Sequence, residues 1–226
     1  MSRLARYREL QASVPGLEAL YGAVGDALVQ VCGPDDTVLI VGGGGGREID
    51  LLTAGGMAPD LIIVEPSANN LADAKQTAKR AKYPGKVTYV ERGIEDMVLD
   101  QLFDAATILF VLHEVNERER EARMLRALRS RLKPGGALLL ADICFDEEDP
   151  VDAMVLDYQR HAESLGTAKD LIELEARSVK DRRNRKVTDL ADRLSAAGFE
   201  ITGRIGAALW YKAYMLSCST RDAKAV

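Results

Sequence analysis

The sequence of 226 residues is poor in the side chains that form disulfides or bind metals. Its three cysteines, Cys32, Cys144 and Cys218, lie far apart and lack the Cys-x-x-Cys spacing of a zinc site. Two histidines are too few for a histidine-rich metal centre. We therefore expect reduced thiols, as in a cytosolic protein, and no metal site.

The chain also lacks long hydrophobic runs and an excess of positive charge. Its first residues, MSRLARYRELQASVPG, have no apolar core of a signal peptide, and no segment approaches the length of a membrane span. The formal net charge of −5 disfavours a broad nucleic-acid-binding surface. We expect a cytoplasmic protein that acts on a small-molecule acceptor, with no membrane partner and no nucleic acid. A homodimer is one option for its assembly.

The sequence does contain an alternation of short apolar runs with longer helical patterns. The apolar runs predict strands at residues 38–41, 60–64, 87–90, 105–112 and 137–142. Helical patterns cover residues 47–53, 67–81 and 117–132, and the last is expected to stop at Lys133-Pro134-Gly135-Gly136. This order predicts an α/β fold with a doubly wound, mostly parallel sheet.

Five consecutive glycines, Gly42 to Gly46, separate the first predicted strand from the helix that follows. Glycine weakens both elements, so its repetition indicates that the backbone must stay bare. A glycine-rich turn lets a ligand approach the main chain, and the helix N-terminus offers free N–H groups. Because ligands of open parallel sheets bind at the carboxyl ends of the strands, we predict binding at Gly42, Gly43, Gly44 and Gly46.

Two further motifs follow the next two strands. Glu65 comes directly after the second strand, 19 residues beyond Gly46, and its carboxylate can accept both hydroxyls of a ribose. The third strand ends in a turn at Gly93, Ile94 and Glu95, where an adenine could bond to the backbone and rest on Ile94.

The ordered set of these motifs resembles the class I S-adenosylmethionine-dependent methyltransferases. The similarity covers residues 36–142 and rests on VLIVGGGGG, VEPSANNLADAK, RGIEDM, FDAATILFVLHEV and LKPGGALLLAD. It implies a seven-stranded Rossmann-like sheet with an antiparallel last strand, and S-adenosylmethionine as cofactor. It also implies that the glycine turn holds the methionine part, Glu65 with Pro66 the ribose, and the Gly93–Glu95 turn the adenine. Phe110, near the end of the fourth predicted strand, is assigned to the same site.

The chain departs from the family pattern at two places. Many members carry an acid two residues before the first glycine, where this chain has Ile40, and many carry Asp at the place of Gly93 or Ile94. Backbone carbonyls, or Glu95 and Asp96, are expected to take over these contacts.

A narrower resemblance is to carboxy-S-adenosylmethionine synthase and small-molecule methyltransferases related to it. It rests on SVPG at residues 13–16 and on VTDLADRLSAAGFE before an aromatic strand pair. That synthase binds its acidic substrate with an arginine near the tail, and Arg204 is a candidate counterpart. Within a single domain of residues 1–226, we expect a helical cover at 1–33, a cofactor-binding core at 34–145, a helical substrate cap at 146–197 and closing strands at 198–226.

Methyl transfer from a sulfonium depends on alignment and the exclusion of water, so no catalytic triad is expected. Where a base helps, His113 is the candidate, because a neutral imidazole at pH 7 can take a proton; it could also merely cap the strand or contact the cofactor.

Tyr158 and His161 share a predicted helix face that could cover a substrate pocket or pack in the core. Tyr7 and Tyr21 are candidates to close over the sulfonium.

Two local clusters remain. Trp210 and Tyr214 are predicted on one face of the last strand and Tyr211 on the other, as an aromatic wall or as hairpin packing. A basic cluster is expected to be a solvated helix end, with binding of an acidic small molecule as the alternative. It comprises Lys180, Arg182, Arg183, Arg185 and Lys186.

The leading interpretation is a methyltransferase that acts on a small molecule. The alternatives are a carboxy-transfer or cyclisation that uses the same cofactor without donating its methyl group, a nicotinamide-dependent oxidoreductase, and a binding module without turnover. The glycine spacing disfavours the oxidoreductase. The absence of an Asn-Pro-Pro-Tyr motif disfavours nucleic-acid bases and protein glutamines as acceptors.

Overall fold

The computed structural model describes residues 3–98 and 101–218. The strands are β1 (Thr37–Val41), β2 (Asp60–Val64), β3 (Val87–Val90), β4 (Phe103–Leu109), β5 (Leu132–Ile143), β6 (Phe199–Ala208) and β7 (Tyr211–Cys218). The helices are α1 (Arg3–Ala12), α2 (Leu17–Val31), α3 (Arg47–Ala54), α4 (Ala68–Ala81), α5 (Arg118–Arg129), α6 (Val151–Ser164), α7 (Lys169–Asp181) and α8 (Val187–Ala196). Within these ranges no helix combines the length and the apolar character needed to cross a membrane.

All seven strands pair into one sheet in the order β3-β2-β1-β4-β5-β7-β6. The pairs among β1 to β5 are parallel, whereas β7 runs antiparallel to both β5 and β6. The strand order reverses at β1, between β2 and β4, and a crevice forms there at the carboxyl ends of the strands. The predicted fold class, a doubly wound Rossmann-like sheet of seven strands with N-terminal helices and a helical insert before the last two strands, is confirmed.

The central strands β1, β2 and β4 are buried on both faces, which explains why they read as continuous apolar runs. Val38 and Ile40 of β1 pack in one cluster with α2, α3 and the hairpin turn. Leu39 and Val41 point the other way, into a second cluster with α5 and α8. Burial of each such side chain contributes roughly 1.5–3 kcal/mol, so β1 is anchored between two helical layers.

Several boundaries differ from the sequence prediction for identifiable reasons. The apolar run predicts β4 through residue 112, but the strand ends at Leu109 because Phe110 adopts left-handed backbone with φ of 57°. The helix predicted to residue 132 ends at Arg129. Residues 133–136 belong to β5, where the pairing register with β4 shifts, rather than to a separate stop loop.

The hairpin of β6 and β7 corrects the predicted aromatic faces. Leu209 has a φ of 51° and forms the turn together with Trp210, which therefore lies outside the alternation of the strand. Trp210 and Tyr211 pack in the same cluster, and Tyr214 lies in the cluster on the opposite face. The prediction that Trp210 and Tyr214 share a face is wrong.

Candidate active site

A cavity of about 470 Å³ opens at the carboxyl ends of β1, β2 and β4. It is bordered by the glycine turn, the residues after β2 and β3, the segment after β4, and side chains of α1 and α2. Eight of the ten residues predicted to bind the cofactor border it: Gly42, Gly44, Glu65, Pro66, Gly93, Ile94, Glu95 and Phe110. Gly45 borders it as well, although it was not among the predicted residues.

Two glycines of the turn leave no space for a side chain, each against a different neighbour. A Cβ on Gly42, whose φ is 76°, would lie 2.3 Å from Cγ2 of Val111, which also borders the cavity. A Cβ on Gly43 would lie 2.4 Å from Cγ2 of Ile63, in the core beneath the turn. Gly43 and Gly46 do not border the cavity, and Gly46 instead begins α3 with a φ of 69°. These two glycines act through the shape of the turn.

Glu65 is buried at the end of β2 with its carboxylate fixed toward the cavity. Its Oε1 accepts a hydrogen bond from the backbone N–H of Ser67 at 2.9 Å. Its Oε2 points to the glycine turn, 3.7 Å from the position that a Cβ on Gly44 would take. A carboxylate held in this way can accept hydrogen bonds from vicinal hydroxyls.

The turn after β3 contains a buried acceptor that lacks a partner. Oε1 of Glu95 accepts a hydrogen bond from Nε of Arg120 at 3.0 Å, but Oε2 is buried without a hydrogen-bond partner in the described part of the chain. This oxygen lies against Gly93, since a Cβ there would be 2.6 Å from it. An unpaired buried acceptor costs roughly 1–3 kcal/mol, so the site fits a ligand that brings a donor, such as the amine of adenine.

Glu48, in the first turn of α3, is a cavity residue that sequence reasoning missed. It is only 4% exposed, and Oγ1 of Thr107 donates a hydrogen bond to its Oε1 at 3.0 Å. Burial raises the pKa of Glu48. Ile40, at the position where many family members carry an acid, is fully buried in the core. Glu48 of α3 is therefore the candidate acid on this side of the cavity.

Aromatic side chains close the cavity on the side of α1 and α2. The ring of Tyr21 lies under the guanidinium of Arg47, 4.1 Å from its centroid, and meets Phe110 edge-on at 5.3 Å. Nε2 of Gln11 donates a hydrogen bond to the hydroxyl of Tyr21 at 2.5 Å. Tyr7, which is 44% exposed, also borders the cavity. Both tyrosines predicted to cover the site therefore stand at its edge.

A second cavity of about 380 Å³ adjoins the first. Tyr7, Gln11, Phe110, His113 and Glu114 border both. The other walls of the second cavity come from α1, the start of α2, α7 and the first residue of β7. The strained backbone of Phe110 lies at this junction, and such strain persists only where the surrounding structure fixes it.

Comparisons with known proteins agree with this geometry. A family model described as a methyltransferase domain matches residues 38–136. The ubiquinone/menaquinone biosynthesis C-methyltransferase UbiE of Vibrio vulnificus strain YJ016 is 27% identical over 180 residues, which cover 75% of this chain and 66% of that enzyme. Over these residues in sequence, and over most of its length in fold, the chain is similar to S-adenosylmethionine-dependent methyltransferases.

Solved structures share the fold of this chain. An S-adenosylmethionine-dependent methyltransferase from Clostridium acetobutylicum ATCC 824 aligns with a TM-score of 0.60 at 10% identity, over 88% of this chain and 92% of that one. Magnesium protoporphyrin IX methyltransferase from Synechocystis PCC 6803, solved with bound S-adenosylmethionine, aligns with a TM-score of 0.57 at 18% identity, over 89% of this chain and 79% of that one.

The side chain of His113 is held by a carboxylate on each ring nitrogen. Nδ1 lies 2.5 Å from Oδ1 of the buried Asp142, and Nε2 lies 3.0 Å from Oε1 of Glu114. Burial alone would lower the pKa of His113 from its usual value of about 6.5. The two carboxylates outweigh burial and raise the pKa to about 9. This arrangement favours an imidazolium that donates a hydrogen bond to each carboxylate, and such a ring has no free lone pair. The role of His113 as a neutral base stays a prediction that this geometry disfavours.

Two arginines of the basic cluster extend this pairing. Nη2 of Arg182 donates a hydrogen bond to Oε1 of Glu114 at 3.1 Å, and Nη2 of Arg185 lies 3.4 Å from Oδ2 of Asp142. The side chains of Arg182 and Arg185 are only 21% and 19% exposed. The prediction of a wholly solvated cluster is therefore wrong for these two residues. We call Arg182, Glu114, His113, Asp142 and Arg185 the charged chain.

Three predicted residues lie away from both cavities. Tyr158 is fully buried in the core, where its ring lies 5.4 Å from that of Trp210 and its hydroxyl 3.2 Å from Oγ of Ser13. His161 is exposed on α6, and Arg204 is exposed on β6. None of the three borders either cavity. The geometry gives Tyr158 a core position and leaves neither Tyr158 nor His161 next to a reacting group.

Proposed function

We propose that the chain transfers the methyl group of S-adenosylmethionine to a small molecule. The observation that carries this proposal is one cavity that joins the bare backbone of Gly42 and Gly44, the carboxylate of Glu65 and the unpaired Oε2 of Glu95. The bound cofactor supplies a methyl group that its positive sulfur already activates. The protein then has to align the reacting atoms and exclude water, which can provide about 7–11 kcal/mol of the barrier.

In this proposal each wall of the cavity takes one part of the cofactor. The glycine turn binds the methionine part through its backbone, and Glu65 with Pro66 holds the ribose. Glu95 accepts a hydrogen bond from the adenine amine, next to Gly93 and Ile94. Glu48 pairs with the ammonium group, because it is the buried acid that borders the same cavity from α3.

The acceptor is proposed to bind in the second cavity and to meet the methyl group at Phe110. Tyr21 and Phe110 exclude water from the junction, and Tyr7 covers it from α1. His113 serves here as a positioning residue, since as an imidazolium it fixes Glu114 and the segment after β4 rather than taking a proton. No base among these residues is required if the acceptor is itself nucleophilic.

The division of the chain follows from the same proposal. Residues 1–33 act as a cover, residues 34–145 as the cofactor core, residues 146–197 as a substrate cap through α7, and residues 198–226 close the sheet, with 219–226 outside the described residues. The carboxy-transfer alternative loses its candidate arginine, because Arg204 borders neither cavity. A cytoplasmic location, a homodimer and the lack of a nucleic-acid partner stay predictions.

The test is incubation with S-adenosylmethionine labelled in its methyl carbon, together with the small-molecule fraction of a cell extract. We expect S-adenosylhomocysteine and one labelled product in mass spectra, and much less of both with the Glu65→Ala variant at a cofactor concentration that does not saturate it. Methylthioadenosine in place of S-adenosylhomocysteine would establish cyclisation instead. Calorimetric binding of NAD but not of S-adenosylmethionine would contradict the proposal, and binding without consumption would identify a silent module.

A further inference from the structure

The second cavity contains a buried carboxylate that the proposed methyl transfer does not use. Glu175 of α7 is 4% exposed and borders this cavity. Its Oε1 accepts two hydrogen bonds, from Nε1 of Trp210 at 2.9 Å and from the hydroxyl of Tyr211 at 2.8 Å. Its Oε2 accepts no hydrogen bond from the described residues, and because Glu175 borders the cavity, this is the oxygen left for a ligand bound there.

The surroundings of Glu175 are mostly apolar. The cavity wall includes the side chains of Leu10, Leu17, Phe110 and Tyr211, and the ring of Phe110 meets that of Tyr211 edge-on at 4.8 Å. The charged groups of the rim are either engaged or directed to solvent. Glu114 pairs with Arg182, and Arg177 and Asp181 are exposed.

A carboxylate in such a position favours a ligand that brings a hydrogen-bond donor. Two donors already bind Oε1 and keep the carboxylate of Glu175 oriented. Its Oε2 would lose contact with solvent when an apolar molecule fills the cavity. Loss of that contact without replacement is unfavourable, whereas a hydroxyl or amino group of the ligand would restore the hydrogen bond. The volume suits a molecule of about two fused rings, since ligand cavities start at roughly 300 Å³.

We propose that the acceptor of this methyltransferase is an apolar ring compound bearing a hydroxyl or amino group, and that this group donates a hydrogen bond to Oε2 of Glu175. The inference rests on the proposed function, because it takes the second cavity as the acceptor site. It disfavours acceptors that present a carboxylate directly to Oε2 of Glu175, since two negative groups would then face each other.

The sequence provides a built-in reporter for the test. Trp210 is the single tryptophan, and its indole N–H donates to Glu175. Protein labelled with [15N]tryptophan therefore gives one indole resonance that reports on this carboxylate. We would titrate it with 2-naphthol, 2-methylnaphthalene and 2-naphthoate, with and without S-adenosylhomocysteine. We expect 2-naphthol to bind at least about tenfold more tightly than 2-methylnaphthalene, and 2-naphthoate to bind more weakly than both.

The Glu175→Gln variant sharpens this ranking. Its amide oxygen must stay on the side of Oε1 to accept from Trp210 and Tyr211, so the NH₂ group faces the cavity. A donor there should reverse the order and make 2-naphthoate the tighter ligand. Glu173→Gln is the matched control, because Glu173 is exposed on the same helix and borders neither cavity. We expect it to rank the probes as the wild type does.

Equal affinities of wild-type protein for 2-naphthol and 2-naphthoate would overturn the inference, as would an unchanged ranking in a folded Glu175→Gln variant. If that variant does not fold, the wild-type ranking alone decides. Calorimetry with S-adenosylhomocysteine tests the proposed function separately. If S-adenosylhomocysteine does not bind, methyl transfer is refuted, and the ranking of the three probes can still be measured.

Discussion

The two cavities are neighbours, but they are built in different ways. The first is formed by short motifs that follow β1, β2 and β3 directly, so parallel strands bring Gly42, Glu65 and Glu95 to one edge of the sheet. The second is formed by helix faces and by residues from both ends of the described chain, such as Leu10 and Tyr211. The first therefore depends on backbone and strand order, and the second on how helices pack.

This difference predicts where substitutions act. In the first cavity the ligand approaches bare main chain, so an added methyl group obstructs the site itself. In the second cavity side chains carry the specificity, and their replacement should change which molecule binds rather than whether the cofactor binds. The predictions below test this contrast in order of expected effect.

The largest effect is expected from Gly42→Ala. The new Cβ would lie 2.3 Å from Cγ2 of Val111, so affinity for S-adenosylmethionine should fall by about a hundredfold or more in calorimetry. Gly56→Ala is the control, since Gly56 has a similar φ of 70° with open space around its Cβ position. It should lose stability by about 1 kcal/mol and bind the cofactor normally. Equal affinity losses in both variants would show that backbone strain, not space, is decisive.

The next effect concerns the ribose. Glu65→Ala should weaken binding of S-adenosylmethionine by roughly 10–100-fold, because a charged hydrogen-bond acceptor is lost. The wild type should prefer adenosine to 2′,3′-dideoxyadenosine in calorimetry, and the variant should not. Glu91→Ala is the control, because Glu91 follows β3 as Glu65 follows β2 but is exposed and does not border the cavity. A preference for adenosine that survives in Glu65→Ala would place the ribose elsewhere.

His113 and Glu114 of the charged chain border both cavities. Because His113 carries a shifted pKa, the stability of the whole protein should depend on pH. The folded-state pKa of His113 is raised to about 9 from an unfolded value of about 6.5. Its stabilising contribution, roughly 3 kcal/mol, is therefore complete below pH 6.5 and is lost as the pH rises through 9. Thermal unfolding between these pH values should show this loss in the wild type.

His113→Gln should be less stable and should lack that slope, whereas His161→Gln, changed at an exposed position, should keep it. A slope that persists in His113→Gln would assign the pH dependence of stability to another group.

The smallest effects are expected at Tyr158 and His161, the predicted catalytic residues that border neither cavity. Tyr158→Phe removes the hydrogen bond to Ser13 and should cost about 1 kcal/mol in unfolding, with turnover of the labelled acceptor within about twofold. His161→Ala should change stability by less than about 0.5 kcal/mol and leave turnover as it is. A tenfold loss of turnover in either folded variant would restore its catalytic assignment.

Sequence reasoning predicted the strands well where burial produces a clear pattern, and β2 and β3 have the predicted bounds. It missed the end of β4 because the left-handed backbone of Phe110 leaves no sign in an apolar run. It also misplaced Trp210, since the turn at Leu209 shifts the alternation. In each case tertiary packing fixes a conformation that local propensity does not favour.

The same limit applies to the sites. Glu65 is recognisable because it directly follows a strand. Glu48 and Glu175 look like solvent-facing acids of amphipathic helices, and only the contacts with Thr107 and with the hairpin bury them. The protonation of His113 depends on Asp142, which is 29 residues away, so no local motif could predict it.

The ring of Phe110 belongs to both compartments, edge-on to Tyr21 on one side and to Tyr211 on the other. A redesign for bulkier molecules should therefore keep the ring of Phe110, because a smaller side chain there would also loosen Tyr21, which borders the first cavity. Leu174, which borders only the acceptor compartment and is largely solvent-facing, is the better place to begin enlarging it.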